Sequence, residues 1–100
     1  MTLQKVCNEN ELDDGEGRPF RVGEKMIAVF KKDGKFFAVD NTCPHMGGPL
    51  GEGFLEDYTV TCPWHGWQFD VKTGVSPVNP AAKVKTYPVT VKNSEVFVDL

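Results

Sequence analysis

Cys43-Pro44-His45 and Cys62-Pro63-Trp64-His65 are the two short motifs that decide how this chain of 100 residues folds. They lie 16 residues apart and together give the pattern C-x-H-x16-C-x-x-H. The pattern supplies two thiolates and two imidazoles, and both kinds of side chain bind transition metals. Metal ligands in two loops tie together segments that bury little surface alone, so the motifs are expected to staple a small domain.

The residues beside the two motifs extend the pattern to Asn41-Thr-Cys-Pro-His-Met-Gly-Gly-Pro-Leu50 and Cys62-Pro-Trp-His-Gly-Trp-Gln-Phe-Asp70. With these flanks the chain resembles a stand-alone Rieske-type ferredoxin over nearly its whole length. The resemblance implies one [2Fe–2S] cluster per chain, with Cys43 and Cys62 on the buried iron and His45 and His65 on the outer one. Neutral imidazoles remove negative charge from the outer iron, so the added electron localises there and the potential exceeds that of an all-thiolate cluster.

A structural zinc module is the alternative that uses the same Cys₂His₂ set. Zinc fingers usually pair Cys with Cys and His with His, two to five residues apart. The order here mixes the two ligand types within each motif, which fits zinc less well.

The positions that tune the potential also differ from those of high-potential relatives. In Rieske proteins of cytochrome bc complexes a disulfide joins the two ligand loops, and the matching positions here are Gly48 and Trp64. Those relatives also carry a Ser and a Tyr that donate hydrogen bonds to cluster sulfurs, where this chain has Trp67 and Phe69. Without these donors the reduced cluster is less stabilised, so we expect the low end of the Rieske range, roughly −150 mV to about 0 mV.

The composition predicts a single domain in a reducing compartment. No run of about 18 apolar residues is present, so no membrane span is expected. The first residues show no secretory or twin-Arg signal, and two of the three cysteines are assigned to iron. The third, Cys7, is expected to be a small buried side chain on the first strand. A cytoplasmic location follows as the default.

The net charge of −3 argues against a nucleic-acid surface. Acids are dense near the N-terminus and also occur between the motifs, at Glu52, Glu56 and Asp57. The group between the motifs is interpreted either as a solvated face or as a surface that steers a partner with a basic docking face.

Short segments rich in β-branched and aromatic residues alternate with turn signals, which predicts an all-β sandwich or barrel of antiparallel strands. Hairpins are expected at Lys32-Asp33-Gly34, between strands Met26–Lys31 and Lys35–Asn41, and at Asn93-Ser94, between Lys83–Lys92 and Glu95–Asp99. Brief strands are expected at Tyr58–Thr61 and Gln68–Asp70. The resemblance implies one Rieske domain, with a base of residues 1–41 and 81–100 and an inserted cluster-binding part of residues 42–80.

Several apolar residues lie beside the proposed ligands. Trp67 is expected to cover the cluster, whereas Met46, Leu50 and Trp64 are candidates for a patch that faces a partner. The segment Pro77–Pro80 resembles the third, proline-bearing loop of the family, which closes over the cluster. The alternative is that it is a plain connection.

The sequence predicts an electron carrier rather than an enzyme. Both of its histidines are assigned to the cluster, which leaves none for the 2-His-1-carboxylate iron of a Rieske oxygenase. The resemblance implies a soluble carrier that takes electrons from a flavin-containing reductase and passes them to a terminal oxygenase. The alternative is the small Rieske subunit of an NAD(P)H-dependent nitrite reductase, bound to a large subunit.

Overall fold

The computed structural model describes residues 3–43, 47–64 and 66–100, whose strands form three antiparallel sheets. In chain order the strands are β1 (Leu3–Asn8), β2 (Gly17–Val22), β3 (Lys25–Lys32), β4 (Lys35–Asp40), β5 (Phe54–Glu56), β6 (Thr59–Thr61), β7 (Gln68–Asp70), β8 (Thr86–Tyr87), β9 (Val89–Lys92) and β10 (Glu95–Asp99). The sheet orders are β1-β10-β9, β2-β3-β4-β8 and β5-β6-β7. Single turns of 3₁₀ helix occur at Glu9–Glu11 and Leu50–Glu52. The predicted all-β class is confirmed, and no helix in the described ranges is long and apolar enough to cross a bilayer.

The hairpin between β3 and β4 has the predicted turn. Asp33 and Gly34 take φ angles of +53° and +76°, and Lys32 pairs directly with Lys35 across the strands. Positive φ at both central residues matches the right-handed twist of the flanking strands, which explains why Asp-Gly is favoured there.

The C-terminal hairpin is confirmed at Asn93-Ser94, but the predicted strand Lys83–Lys92 is wrong in its extent. Pro88 divides it into β8, which pairs with β4, and β9, which pairs with β10 in a different sheet. Lys83 pairs only through an isolated bridge to Val75. Because proline has no N–H to donate to a ladder, the chain changes sheets at Pro88.

Strand β3 contributes its two faces to two separate cores. Ile27 and Val29 pack with the sheet that contains β1 and β10, in a core that also holds Cys7 as expected. Ala28 and Phe30 face the other way and pack with Cys43 and Cys62. The second sheet is therefore covered on both faces, and one of its faces supports the candidate site.

Strands β6 and β7 confirm the two brief strands predicted in the middle of the chain. Strand β5, which was not predicted, pairs with β6 at the edge of the same sheet. Tyr58, in the β5–β6 turn, donates a hydrogen bond of 2.7 Å from its hydroxyl to Asp33 and packs edge-on against Phe37. These contacts hold the third sheet against the β3–β4 hairpin.

Candidate metal centre

The loop that carries Cys43 is closed by its own backbone. The N–H of Cys43 donates to the carbonyl of Gly48 at 2.8 Å, and the N–H of Gly47 donates to the carbonyl of Cys43 at 2.8 Å. Gly47 has a φ of +77°, a conformation that glycine adopts without steric cost. The two ends of the loop thus lie side by side, with Thr42 paired to Pro49.

The loop that carries Cys62 repeats this arrangement. The N–H of Cys62 donates to the carbonyl of Trp67 at 2.7 Å, and Gly66 has a φ of +71°. In both loops the cysteine N–H therefore bonds to the carbonyl five residues on, and the fourth residue after the cysteine is a positive-φ glycine. The shared sequence Cys-Pro-x-x-Gly is the local signal for this loop shape.

The two loops bring Cys43 and Cys62 together in the second core. The two cysteines are only 1% and 2% exposed, and both side chains lie in the same buried cluster. Burial raises the pKa of the Cys62 thiol, Cys43 raises it further, and a hydrogen bond from the Trp64 backbone opposes this rise. Two buried thiols in contact are costly to ionise alone, whereas a bound cation stabilises them as thiolates.

Gly48 is the point where the two loops meet. A Cβ atom added at Gly48 would lie 2.6 Å from the sulfur of Cys62 and 3.1 Å from the Cβ of Trp64. The positions that the sequence aligns with the bridging cysteines of high-potential relatives are therefore adjacent in space, but glycine and tryptophan occupy them. The absent side chain of Gly48 leaves the space beside the Cys62 sulfur free, and the donor set on this side of the site fits an iron held by two thiolates.

His45 and His65 lie outside the described residues, as do Pro44 and Met46. Within the described part of the chain no three His, Cys, Asp or Glu side chains come close enough to hold a metal ion. The structure therefore describes the thiol half of the predicted four-residue set, and the histidine half stays a prediction.

The apolar residues beside the thiols divide into buried and exposed ones. Leu50 is fully buried in the core that also contains Ala28, Val39 and the two cysteines, so its candidacy for a partner-facing patch was wrong. The 3₁₀ turn that begins at Leu50 packs onto β2 and β3, which turns this side chain inward. Trp64 is 51% exposed, as a residue of a partner-facing patch must be. Trp67 is partly buried and stacks on Phe69, with 6.5 Å between their ring centroids.

The segment Pro77–Pro80 is exposed but anchored by a side chain that sequence reasoning missed. The hydroxyl of buried Ser76 accepts hydrogen bonds from the N–H groups of Val78 and Asn79, at 3.3 and 3.2 Å. A groove of about 280 Å³ separates this segment from Gly66 and Trp67. The segment thus lies beside the second ligand loop.

Asn41 begins the extended first motif, but its structural role was not predicted. Its side-chain oxygen accepts a hydrogen bond of 2.7 Å from the N–H of Gly51, and its own carbonyl accepts one of 2.7 Å from Leu50. A Cβ at Gly51 would lie 2.5 Å from the backbone nitrogen of Pro19. Asn41 therefore holds both ends of the Cys43 loop together. Gly51, which donates to it, has no room for a larger side chain.

Paired loops with facing buried thiols, on an all-β scaffold, define a small metal-binding β-protein. The family model for the Rieske [2Fe-2S] domain matches residues 2–88, so the chain belongs to this family and its cofactor is a Rieske-type [2Fe–2S] cluster.

Curated relatives with high similarity to this chain include ferredoxin components of dioxygenase systems. The chain is 43% identical over 100 residues to the 3-phenylpropionate/cinnamic acid dioxygenase ferredoxin subunit of Photorhabdus laumondii, covering 98% of this chain and 94% of the relative. It is 39% identical to the ferredoxin component of biphenyl 2,3-dioxygenase from Rhodococcus jostii, covering 100% of this chain and 94% of the relative.

Solved structures agree with this family. A chain in the complex of reduced oxygenase and oxidised ferredoxin of carbazole 1,9a-dioxygenase matches with a TM-score of 0.87 and 35% identity, covering 95% of this chain and 99% of that one. A nitrite reductase small subunit from Mycobacterium tuberculosis matches with a TM-score of 0.89, covering 97% of this chain and 93% of that one. At 24% identity the second likeness concerns the fold alone.

Proposed function

We propose that this chain is a one-electron carrier that receives electrons from a flavin-containing reductase and delivers them to a terminal oxygenase. The observation that carries the proposal is its full-length similarity to ferredoxin components of dioxygenase systems. Those relatives are carriers within multi-component systems rather than catalysts on their own. The cluster supplies a single site that alternates between two redox states.

The residues proposed as ligands are Cys43 and Cys62 on the inner iron and His45 and His65 on the outer one. The burial and mutual contact of the two cysteines support the first pair. The assignment of His45 and His65 is supported by the sequence motif and by membership of the family. Residues 42–80 are proposed as the cluster-binding part, and residues 1–41 and 81–100 as its base. This proposal is supported by the confinement of β5, β6 and β7 to the middle segment.

The role of small subunit in a nitrite reductase has less support. The likeness to such a subunit is a likeness of fold, whereas the dioxygenase ferredoxins match in sequence as well. A large-subunit partner that copurifies with the chain from its native source would favour this alternative.

The ligand assignment is tested by serine substitution of each of the two site cysteines. Cys43→Ser and Cys62→Ser are expected to lose most of the iron and sulfide from the purified protein, because each removes a thiolate from the inner iron. Cys7→Ala is the matched control, since Cys7 is equally buried but lies in the other core. Full iron content in either site variant, or its loss in the control, would contradict the assignment.

The carrier function is tested by mixing the reduced protein with an oxidised dioxygenase. The dioxygenases of the Photorhabdus laumondii and Rhodococcus jostii systems are suitable acceptors, since the ferredoxins named for them are 43% and 39% identical to this chain. The expected result is single-electron oxidation of the ferredoxin and turnover of the dioxygenase. Failure with both acceptors would overturn the proposal.

A further inference from the structure

The third sheet has one buried and one outward face. The register aligns Leu55, Val60 and Phe69 across its strands, and these side chains point into the second core. Because side chains alternate along each strand, the residues on either side of this row point outward. The outward face consists of Phe54, Glu56, Thr59, Thr61, Gln68 and Asp70.

Phe54 is out of place on this polar face. It is 72% exposed, although it lies in a strand and not in a loop. Its cross-strand neighbour is Thr61, whose hydroxyl accepts a hydrogen bond of 3.2 Å from the side-chain amide of Gln68. This polar pair offers the Phe54 ring little apolar surface to pack against. Most of the hydrophobic free energy of burying the ring would therefore be gained when a partner covers it.

Acidic side chains border this aromatic residue. Glu56 and Asp57 line the same groove as Phe54, a depression of about 370 Å³ that Pro77 closes on one side. Within the described part of the chain the one ion pair is that of Lys5 and Glu95, so no described cation neutralises these acids. Their charges are therefore available to cations of another protein.

The groove lies next to the loop that carries Cys62. Thr61, at one end of it, is followed directly by Cys62. Gln68 lines both this groove and the one beside Gly66 and Trp67. Val78, which is 75% exposed, extends the apolar surface on the far side of Pro77. A protein docked on this face would consequently lie next to the loop that carries His65.

We propose that the outward face of β5, β6 and β7, centred on Phe54 and bordered by Glu56 and Asp57, is a docking surface for the terminal oxygenase. The complementary surface would present an apolar hollow for the Phe54 ring, with Lys or Arg side chains beside it. The inference rests on the proposed function and adds a specific surface to it. It agrees with the existence of an oxygenase–ferredoxin complex for a protein 35% identical to this chain.

The test measures the second-order rate of electron transfer from the reduced protein to the oxidised Photorhabdus laumondii dioxygenase by stopped-flow spectroscopy. Phe54→Ser is expected to lower this rate by about tenfold or more, as loss of a central aromatic contact does. The double variant Glu56→Gln/Asp57→Asn is expected to lower the rate at low salt and to flatten its dependence on ionic strength. Asn at position 57 also tolerates the φ of +58° found there, so the turn is retained.

The controls separate docking from changes in the cluster. Leu3→Ser and Glu24→Gln remove an exposed apolar side chain and an exposed acid from the base, and both are expected to leave the rate unchanged. Oxidation by ferricyanide, which needs no docking surface, is expected to be equal in all variants.

Two outcomes would overturn the surface and leave the carrier function in place. One is a wild-type rate to the dioxygenase in both site variants. The other is a lower rate only in the transfer of electrons from the flavoprotein reductase to the variants, which would assign the face to the reductase. If the wild-type protein itself transfers no electron to the dioxygenase, the proposed function fails and the docking surface fails with it.

Discussion

At the scale of single residues, Tyr87 shows how burial fixes a protonation state. Its hydroxyl donates a hydrogen bond of 2.5 Å to Asp40 and accepts one of 3.3 Å from the ammonium group of Lys25. Burial, together with the bond to Asp40, raises the pKa of Tyr87 to about 12. A phenolate at this position would lie against a carboxylate and away from water, so the folded protein favours the neutral form.

This raised pKa predicts a loss of stability at high pH. The unfolded chain releases the Tyr87 proton near pH 10, whereas the folded chain keeps it up to about 12. The contribution of this group is therefore complete below pH 10 and is lost as the pH rises towards 12, by at most about 1.4 kcal/mol per pH unit. Urea unfolding of the wild type and of Tyr87→Phe at pH 8 to about 11.5 checks this. The variant should show a shallower decline, and equal slopes would refute the assignment.

At the scale of elements, Asn41 connects β4 to the 3₁₀ turn Leu50–Glu52 and closes the Cys43 loop. Asn41→Ala would leave the buried N–H of Gly51 without an acceptor, which costs about 1–3 kcal/mol. We expect a lower melting temperature and faster loss of iron on heating. Asn41→Asp keeps an acceptor oxygen and should retain most of the stability at neutral pH. Asn10→Ala, at an exposed position, is the neutral control. If Asn10→Ala lowered the stability as much as Asn41→Ala does, the role assigned to Asn41 would be contradicted.

The elements that the sequence predicted well are those with a local cause. Asp33-Gly34 specifies a two-residue turn, so the β3–β4 hairpin was predictable to within a residue at its strand ends. The predicted strand Lys83–Lys92 is divided at Pro88 because its two halves join different sheets. Which sheet each half joins is a property of the whole fold. Strand β5 has only three residues and exposes Phe54, so it offers no alternation to recognise.

At the scale of the whole molecule, the motifs predicted the site but not its surroundings. Cys-Pro-x-x-Gly accounts for both loops and for the approach of the two thiols, because the glycines and backbone bonds involved are local. Leu50 was misassigned because its burial depends on the packing of its turn onto β2 and β3, which no neighbouring residue reveals. The hydrogen bonds of Ser76 to Val78 and Asn79 are local, but its burial depends on the packing of the whole fold, which the neighbouring residues do not reveal.

The molecule as a whole sets the potential of the loaded protein, which we expect between roughly −150 mV and about 0 mV at pH 7. Phe69 is buried in the core that holds both cysteines and has no hydroxyl, and Gly48 and Trp64 leave the two loops without a bridging disulfide. Reduction also adds negative charge to a chain whose net charge is already −3. Direct voltammetry of the purified protein measures this value, and a midpoint above roughly +200 mV would contradict the expectation.

Phe69→Tyr separates the effect of the missing hydroxyl from that of the overall charge. A hydroxyl placed at this buried position is expected to raise the potential by donating a hydrogen bond that favours the reduced state. Phe97→Tyr is the matched control, because Phe97 is a partly buried residue of β10 in the sheet of the other core. If both variants kept the wild-type potential, net charge and solvent exposure would account for the low value, and the hydroxyl at this position would have no part in it.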